Sequence, residues 1–475
     1  MQNHKSLSQP TLFTIFAMCI ASGLVALIWI AFPSLSLRLN EGRAASREGF
    51  VKRSFITEDA SIHSYRVFVP HNRSKDEKLP VFLFLNGFGE NGQGAVRQLA
   101  NNFGNQIWEL KGRFPFLAVA SQCSLHGSWT AESDDTRLAL QSLHDAIKKY
   151  NGDPNHVYLT GPSSGGAGVF NVAGGHPELF AAIVPISATR PATSIDNLAN
   201  TFEINSLPIW SFYNERDNVP GVVEFNEQMR LALVRKGCSP IVSVLDRDGH
   251  DTWNHAYRNP ALYDWTLRQS LDKHKGSDRF ALLANDGKMD LQSIGKGNWS
   301  VNDRDLLSFE PPSDGFTNHD RLDAPTLLWR PTSNDFDFHF DYRSDRQAPL
   351  HVILLTNLDN QPRSGYEIHI VPSNQGSGEI RTYGDQKLLA SLDCIAQQVF
   401  LPMHWSHFRL TVNDRQLLLR INEWILLECE LPSYPLQIGF LGNDGSQHWR
   451  GILGRERQKG GKGSEMNAIQ LGDVE

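Results

Sequence analysis

Residues 157–166 read VYLTGPSSGG. The apolar start of this stretch predicts a short buried strand, and the small residues that follow predict a tight turn into a helix. The turn has the spacing Gly161-x-Ser163-x-Gly165. A serine on such a strained strand–turn–helix junction has its hydroxyl exposed at the helix N-terminus, and its neighbours must be small to avoid the adjacent strand and helix. The stretch therefore predicts Ser163 as a nucleophile.

The sequence around this turn alternates strand-like and helix-like segments from about residue 63 to residue 275. Continuous apolar runs at 81–85 and 116–120 predict strands that are buried on both faces, as in a parallel sheet. A helix is predicted from Asp134, with apolar residues recurring at helical spacing until Asn151-Gly152 ends it. The remaining predicted elements are strands at 65–69, 182–186, 208–212 and 241–245 and a helix at 222–235. This order predicts an α/β fold with a doubly wound sheet.

An acid and a histidine follow the serine in the order that this architecture requires. Asp217 comes soon after the predicted strand 208–212, and His250 soon after the strand 241–245. We expect His250 to accept the proton of Ser163 and Asp217 to hold the imidazole in the required tautomer. Three nearby carboxylates are rival acids: Asp246, Asp248 and Glu215.

An oxyanion hole requires two backbone N–H groups that point at the developing negative charge. We expect one from Ser164, directly after the nucleophile, and the other from Phe88 in the glycine-rich loop 86–90. Trp129 and Trp253 are candidates either for the lining of a substrate cleft or for the core.

The same glycine-rich loop matches a dinucleotide-binding spacing, Gly87-x-Gly89-x-x-Gly92. That fold also needs an acidic residue at the end of the next strand, and this strand ends in Ala-Ser-Gln at 120–122. We therefore predict no cofactor. The five cysteines are scattered without paired spacing, so neither a metal site nor a disulfide framework is predicted.

Residues 63 to about 270 resemble the secreted esterase branch of the α/β-hydrolases, which includes polyhydroxybutyrate-depolymerase-like, feruloyl-esterase-like and predicted peptidase proteins. The resemblance rests on LPVFLFLNGFGE at 79–90 and on blocks at 121–129, 176–185 and 249–257. It implies an α/β-hydrolase fold and acyl transfer to water. Asn86 stands where the family usually has histidine, and Ser164 where it usually has methionine, so the lining of the site differs from the family pattern.

After a polar segment at 272–279, which we interpret as a linker, the sequence becomes rich in short strands. Blocks at 297–301, 327–330, 335–343 and 365–371 resemble the concanavalin-like jelly roll of 3-keto-disaccharide hydrolase domains. The resemblance implies an all-β sandwich that binds a glycan. We therefore predict a second domain at residues 280–475.

Within that part, residues 335–342 alternate acidic and aromatic side chains. Strand periodicity places Asp335, Asp337, His339 and Asp341 on one face and the aromatic residues in the core. The acidic row fits two interpretations. It is either a solvated sheet face or a catalytic carboxylate pair such as jelly-roll glucanases use.

The N-terminal segment 11–32 has about 22 residues without a charge, which is long enough to span a bilayer. We predict a signal anchor or transmembrane helix in residues 1–35, with a cleaved signal and a secreted product as the alternative. The basic residues between 38 and 53 would place the bulk of the chain in the cytoplasm by the positive-inside rule. The expected glycan-binding domain favours export instead.

A chain of 475 residues with 40% hydrophobic residues is long enough for two folded units, and we expect the catalytic one at 50–275. Its net charge of -7 gives no reason to expect a nucleic-acid partner. The expected function is a serine carboxylic-ester hydrolase that acts through an acyl-enzyme on an esterified polysaccharide or similar polymer. The alternatives are a serine peptidase of the same fold and an inactive hydrolase that binds carbohydrate at the cell surface.

Overall fold

The computed structural model describes residues 50–70, 74, 76–99, 103–274, 280–285, 288–289, 291–294, 298–302, 304–310, 325–344, 349–357, 364–370, 378–383, 385–391, 405–442 and 447–456. The predicted membrane segment, residues 11–32, lies outside these ranges. Within the described ranges, no helix is both long enough and apolar enough to cross a membrane.

The first unit is built on one eight-stranded sheet with the order β1-β2-β4-β3-β5-β6-β7-β8. Its strands are β1 (Phe50–Ile56), β2 (Ile62–Phe68), β3 (Leu79–Leu85), β4 (Leu117–Ser121), β5 (Gly152–Pro162), β6 (Ala182–Ile186), β7 (Trp210–Arg216) and β8 (Ile241–Asp248). Strands β1 and β2 are antiparallel to their neighbours, and the pairs from β4 to β8 are parallel. The predicted α/β sheet is therefore present, with a two-stranded antiparallel edge.

Helices cover both faces of this sheet. They are α1 (Phe103–Leu110), α2 (Asp134–Tyr150), α3 (Ser164–Gly175), α4 (Ile195–Ile204), α5 (Val222–Arg235), α6 (Trp253–Arg258), α7 (Pro260–Leu267) and α8 (Leu271–His274). The start of α2 is capped by Ser133, whose side chain accepts a hydrogen bond from the Thr136 N–H. The helix ends at Asn151, which adopts the left-handed conformation that terminates many helices.

Strand β3 illustrates why the central strands are continuously apolar. Leu83 and Leu85 belong to the buried cluster on one face of the sheet. Phe82 and Phe84 belong to the cluster on the other face, where the Phe84 ring stacks on Phe103 of α1 at 5.3 Å. Because helices cover both faces, every side chain of the strand except Pro80 is buried.

The second unit consists of short antiparallel strands. They are β9 (Ala281–Leu282), β10 (Ala284–Asn285), β11 (Lys288–Met289), β12 (Gln292–Ile294), β13 (Asn298–Val301), β14 (Leu306–Glu310), β15 (Thr326–Trp329), β16 (Phe336–Ser344), β17 (Leu350–Leu355), β18 (Gly365–Ile370), β19 (Gly378–Thr382), β20 (Leu388–Ser391), β21 (Ser406–Asn413), β22 (Gln416–Ile421), β23 (Trp424–Glu430), β24 (Gln437–Leu441) and β25 (Gln447–Glu456).

Most of these strands form two sheets. One has seven strands, β12-β15-β24-β17-β18-β19-β20, and the other has eight, β13-β14-β25-β16-β21-β22-β23 with β9 paired to β25, while β10 and β11 form a separate pair. The two sheets pack face to face. Phe338 and Phe340 of the eight-stranded sheet contact Phe440 of the other, with ring centroids 5.6 and 4.8 Å apart. The C-terminal part is therefore a β-sandwich, and its closer assignment to the concanavalin-like jelly rolls stays a prediction.

Three of the four residues of the acidic row lie on β16 and are buried against the first unit, so the interpretation as a solvated face is wrong for them, whereas Asp335 precedes the strand and is half-buried. Asp337, His339 and Asp341 are only 0%, 5% and 6% exposed. Both carboxylates are also engaged. Asp337 accepts hydrogen bonds from Arg455 at 2.6 Å and Thr411 at 2.8 Å, and Asp341 contacts His407 at 2.9 Å and Arg450 at 3.1 Å. Carboxylates held in this way inside the molecule do not form a cleft for a polysaccharide, which also argues against the glucanase interpretation.

Polar contacts connect this face of the sandwich to α5 and the neighbouring loops. Arg450 donates to Glu227 of α5 at 2.9 Å, and Arg235 pairs with Asp305 at 2.9 Å. Partial burial raises the pKa of Glu227, but Arg450 and Arg230 outweigh it and lower the pKa to about 2. The Arg450–Glu227 pair that joins the two units is therefore charged at neutral pH.

Candidate active site

Ser163 lies between the end of β5 and the first residue of α3. Its backbone has φ 56° and ψ -119°. A positive φ is costly for a residue with a side chain and persists where the surrounding structure enforces it. Here the Ser163 N–H donates to the Ile186 carbonyl of β6 at 2.9 Å, which holds the strained turn in place.

The two flanking glycines are required by close backbone contacts. A Cβ on Gly161 would lie 2.4 Å from the Leu85 carbonyl oxygen. A Cβ on Gly165 would lie 2.2 Å from the same oxygen and 2.8 Å from the Asn86 oxygen. Both contacts are far inside van der Waals distance, so the Gly-x-Ser-x-Gly spacing follows from the packing of the turn against the end of β3.

The structure brings Ser163, His250 and Asp217 together in one hydrogen-bonded chain. The Ser163 Oγ lies 2.8 Å from the His250 Nε2, and the His250 Nδ1 lies 2.8 and 2.9 Å from the two Asp217 oxygens. The Asp217 side chain is 0% exposed and the His250 side chain is 18% exposed. The carboxylate is thus shielded from water, while the imidazole remains accessible to a substrate.

Further backbone contacts position the acid and the imidazole. The Val219 N–H donates to the Asp217 Oδ1 at 2.9 Å, which fixes the carboxylate. Gly249, directly before the histidine, has φ 86°, and its carbonyl accepts from the Asn214 side chain at 2.9 Å. The His250 ring also meets the Trp253 ring edge to face, with centroids 5.5 Å apart.

The rival acids make other contacts. The Arg216 guanidinium binds Asp248 at 2.6 Å and also binds Asp246. The Glu215 carboxylate faces Arg343 of the sandwich at 3.8 Å. In the described structure, Asp217 is therefore the one of these carboxylates that contacts His250.

The predicted oxyanion donors lie at the starts of two helical turns. Ser164 is the first residue of α3, and Phe88 is the first residue of a 3₁₀ turn at Phe88–Glu90. The first N–H groups of such turns have no acceptor within the turn, so they are free to bind an anion. A Cβ on Gly87 would lie 3.7 Å from the Ser163 Cβ, so this loop passes beside the nucleophile.

Asn86 holds the oxyanion loop in place through hydrogen bonds that the sequence does not predict. Its Nδ2 donates to the Gly87 carbonyl and to the Asn91 Oδ1, both at 2.8 Å. Its Oδ1 accepts from the Cys123 N–H at 2.9 Å. Asn86 is fully buried, and its carbonyl accepts from the Trp129 indole at 2.9 Å. The side chain thus ties the oxyanion loop to the segment after β4.

Trp129 belongs to the core of the first unit, where it is 4% exposed and packs against Gly168. Trp253 is half-buried beside His250, so it remains the candidate for the cleft lining. Within the part of the chain that the structure describes, no group of three or more His, Cys, Asp or Glu side chains is placed to hold a metal ion.

The strand order and the strained serine after β5 define an α/β-hydrolase fold. No family model and no curated protein matches the chain. Among solved structures, a thermostable esterase is 25% identical with a TM-score of 0.42 over 47% of this chain and 64% of its own, so the match spans less than two thirds of that esterase.

Two feruloyl esterase structures are also similar. One, a ferulic acid esterase, is 18% identical with a TM-score of 0.36 and is covered over 98% of its length by 46% of this chain. The other is a mutant of the feruloyl esterase module from Clostridium thermocellum complexed with sinapinate. It is 14% identical with a TM-score of 0.35, over 44% of this chain and 83% of that one.

Proposed function

We propose that the chain is a serine carboxylic-ester hydrolase that acts through an acyl-enzyme. The observation that carries this proposal is the unbroken chain of hydrogen bonds from Ser163 through His250 to the buried Asp217. This arrangement activates a serine hydroxyl, which is otherwise a weak nucleophile at neutral pH.

In the first step the Ser163 Oγ attacks the acyl carbon of the ester, and the His250 Nε2 accepts the serine proton. Asp217 accepts the Nδ1–H bond throughout and stabilises the imidazolium that forms. The negative charge on the former carbonyl oxygen is held by the N–H groups of Phe88 and Ser164. His250 then gives its proton to the leaving alcohol oxygen, which leaves an ester between Ser163 and the acyl group.

In the second step a water molecule takes the place of the alcohol. His250 accepts a proton from this water, whose oxygen attacks the acyl carbon of the acyl-enzyme. The same two N–H groups stabilise the second oxyanion. When the intermediate collapses, His250 returns the proton to the Ser163 Oγ and the acid product leaves. Neither step requires a group from outside the chain except water.

A serine peptidase would use the same chain of residues, since the triad does not distinguish an ester from an amide. We favour an ester, and the resemblance to secreted esterases favours an esterified polysaccharide or similar polymer. The complete triad argues against the alternative of an inactive hydrolase that serves only as a carbohydrate-binding protein. We further propose that residues 11–32 anchor the chain to a membrane and that the domains are exported, or secreted if the segment is cleaved.

The sandwich is proposed to hold the glycan part of the substrate. Because the eight-stranded sheet buries its polar face against the first unit, we assign this binding to the other sheet. Its face away from the core carries His369 and Arg381 on neighbouring strands, with His369 stacked on His351 at 4.5 Å. Binding of the full chain to a glycan array tests this assignment, and a blank array would overturn it.

Hydrolysis of short acyl p-nitrophenyl esters by the full chain tests the proposed activity. We expect turnover by the wild type and a loss of at least about 10³-fold in Ser163→Ala. Ser128→Ala, at an exposed serine, serves as the matched control and should retain activity. Absence of turnover in the wild type, or equal turnover in Ser163→Ala, would refute the proposal. Hydrolysis of the matching p-nitroanilides at a comparable rate would favour the peptidase.

A further inference from the structure

A cavity of about 230 Å³ lies between the two units. The first unit contributes the segment 206–209, the loop 236–241 before β8 and the segment from Trp265 to Lys273. The sandwich contributes side chains of β16 and β21 and of the turn before β23. Ile241, at the start of β8, lines the cavity, whereas His250 comes after the opposite end of β8. The eight residues of this strand span about 26 Å. The cavity is therefore separate from the candidate active site.

Three polar atoms of the lining residues lack a hydrogen-bond partner among the described residues. They are the His339 Nε2, the Glu423 Oε1 and the Arg409 Nε. His339 and Glu423 are 5% and 4% exposed, so they cannot rely on bulk water. Burying such atoms without partners costs free energy, so they normally pair with a protein group, an ordered water or a bound molecule.

The other ends of two of these side chains are already fixed. The His339 Nδ1 lies 2.6 Å from the Ser239 Oγ, and the Glu423 Oε2 accepts from Arg268 at 2.6 Å. Burial lowers the pKa of His339 well below its ordinary value, so its ring is neutral at pH 7. The free atoms of both residues are therefore held in place and offer one donor or acceptor from the imidazole and one acceptor from the carboxylate.

The charges around the cavity favour an anion. Its described lining includes four basic side chains, Lys236, Lys273, Arg409 and Arg455, and two carboxylates, Glu203 and Glu423. Arg455 is neutralised by Asp337 at 2.6 Å. Arg409 interacts electrostatically with Glu423, but its Nε–H is unused, and such an N–H binds a carboxylate more strongly than a neutral oxygen.

We propose that this cavity binds a small hydroxycarboxylate. Its carboxylate accepts the Arg409 Nε–H, one hydroxyl donates to the Glu423 Oε1, and another oxygen pairs with the His339 Nε2. A simple carboxylate leaves the Glu423 Oε1 without a donor, and a neutral sugar offers the Arg409 Nε–H no charged acceptor. A volume of about 230 Å³ suits a compact sugar acid. This proposal does not depend on the hydrolase activity.

Isothermal titration calorimetry of the full chain with D-gluconate, D-glucose and acetate tests the ligand class. We expect saturable binding of gluconate that is at least tenfold tighter, or about 1.4 kcal/mol, than that of glucose or acetate. Equal binding of all three probes would overturn the proposal. No saturable binding of gluconate at millimolar concentrations would also overturn it, since the cavity then holds water only.

Variants test the location. Arg409→Gln should weaken gluconate binding at least tenfold, whereas Arg415→Gln should not, because Arg415 lies on the same hairpin but pairs with Glu430 at the surface. If Arg409→Gln does not fold, His339→Gln gives the same test. It displaces the polar atom that pairs with an oxygen of the ligand and should also weaken gluconate binding. Ser163→Ala should bind gluconate as the wild type does. Unchanged binding in both cavity variants, or loss of binding in Ser163→Ala, would contradict the assignment.

Discussion

The substitution Asn86→Asp tests whether the oxyanion loop is held by one side chain. The peptide between Gly87 and Phe88 has its C=O and N–H on opposite sides. Asn86 donates to that C=O at 2.8 Å, so it also fixes the direction of the Phe88 N–H. An aspartate has nearly the same shape, but when ionised it has an oxygen in place of the Asn86 Nδ2. This oxygen donates no hydrogen bond and faces two other oxygens, the Gly87 carbonyl and the Asn91 Oδ1.

The expected effect follows from the loss of one oxyanion donor. Repulsion of the Gly87 oxygen rotates this peptide, and the Phe88 N–H no longer points at the developing charge. Removal of one such donor typically lowers kcat by about 10²–10³-fold, or roughly 3–4 kcal/mol. Because the contact forms mainly in the transition state, KM should change little. Asn86 thus acts as a positioning residue.

Steady-state hydrolysis of p-nitrophenyl acetate measures this effect, and a boronic acid that mimics the tetrahedral intermediate gives a second readout. Its affinity should fall in parallel with kcat/KM. The matched control is Asn226→Asp, since Asn226 is buried and its Nδ2 also donates to two acceptors, the carbonyls of Ala188 and Val222. Normal kcat in a folded Asn86→Asp protein, or an equal loss in the control, would refute the reasoning.

Three further predictions concern the acid, the interface and a thiol. Asp217→Asn should lower kcat by about 10⁴-fold by favouring the wrong tautomer of His250, whereas Asp246→Asn should retain activity; equal losses in the kinetic assay would refute the assignment. The pKa of Glu227 is lowered to about 2, so its ionised carboxylate stabilises the fold above about pH 4.5, and this stability is lost as the pH falls toward 2. The melting temperature should therefore decline over this pH range, and the decline should be smaller in Glu227→Gln. Burial raises the pKa of Cys123 to about 12, so this thiol should react with a disulfide reagent at pH 8 only after unfolding, and fast reaction in the native protein, measured by peptide mapping, would contradict its burial.

The sequence was informative where local patterns determine the structure. The bounds predicted for the strand at 182–186 and the helix at 222–235 are those of the structure, because the first is a short continuous apolar run and the second has apolar residues at helical spacing. The chain order of Ser163, Asp217 and His250 also followed from a local rule, since each follows a strand of a parallel sheet. The C-terminal edges of such strands lie together, which is why residues distant in sequence meet.

The sequence was less informative where partners come from elsewhere in the chain. Strand periodicity placed Asp337 and Asp341 on one face, but it could not reveal that the first unit covers this face. In the sequence, Asn86 is recognisable only as a departure from a family pattern. Its part in the loop depends on Asn91 and on Cys123 after another strand, and no local pattern predicts that contact. The cavity between the units was not predictable for the same reason.

Covalent labelling tests the central claim most directly. A fluorophosphonate forms a bond with an activated serine and mimics the tetrahedral intermediate, so the full chain treated with it at neutral pH can be mapped by mass spectrometry. We predict a single labelled peptide carrying the adduct on Ser163, with no labelling in Ser163→Ala or His250→Gln and normal labelling in Asp246→Asn. An unlabelled wild-type chain, an adduct on another serine, or full labelling in His250→Gln would contradict the account.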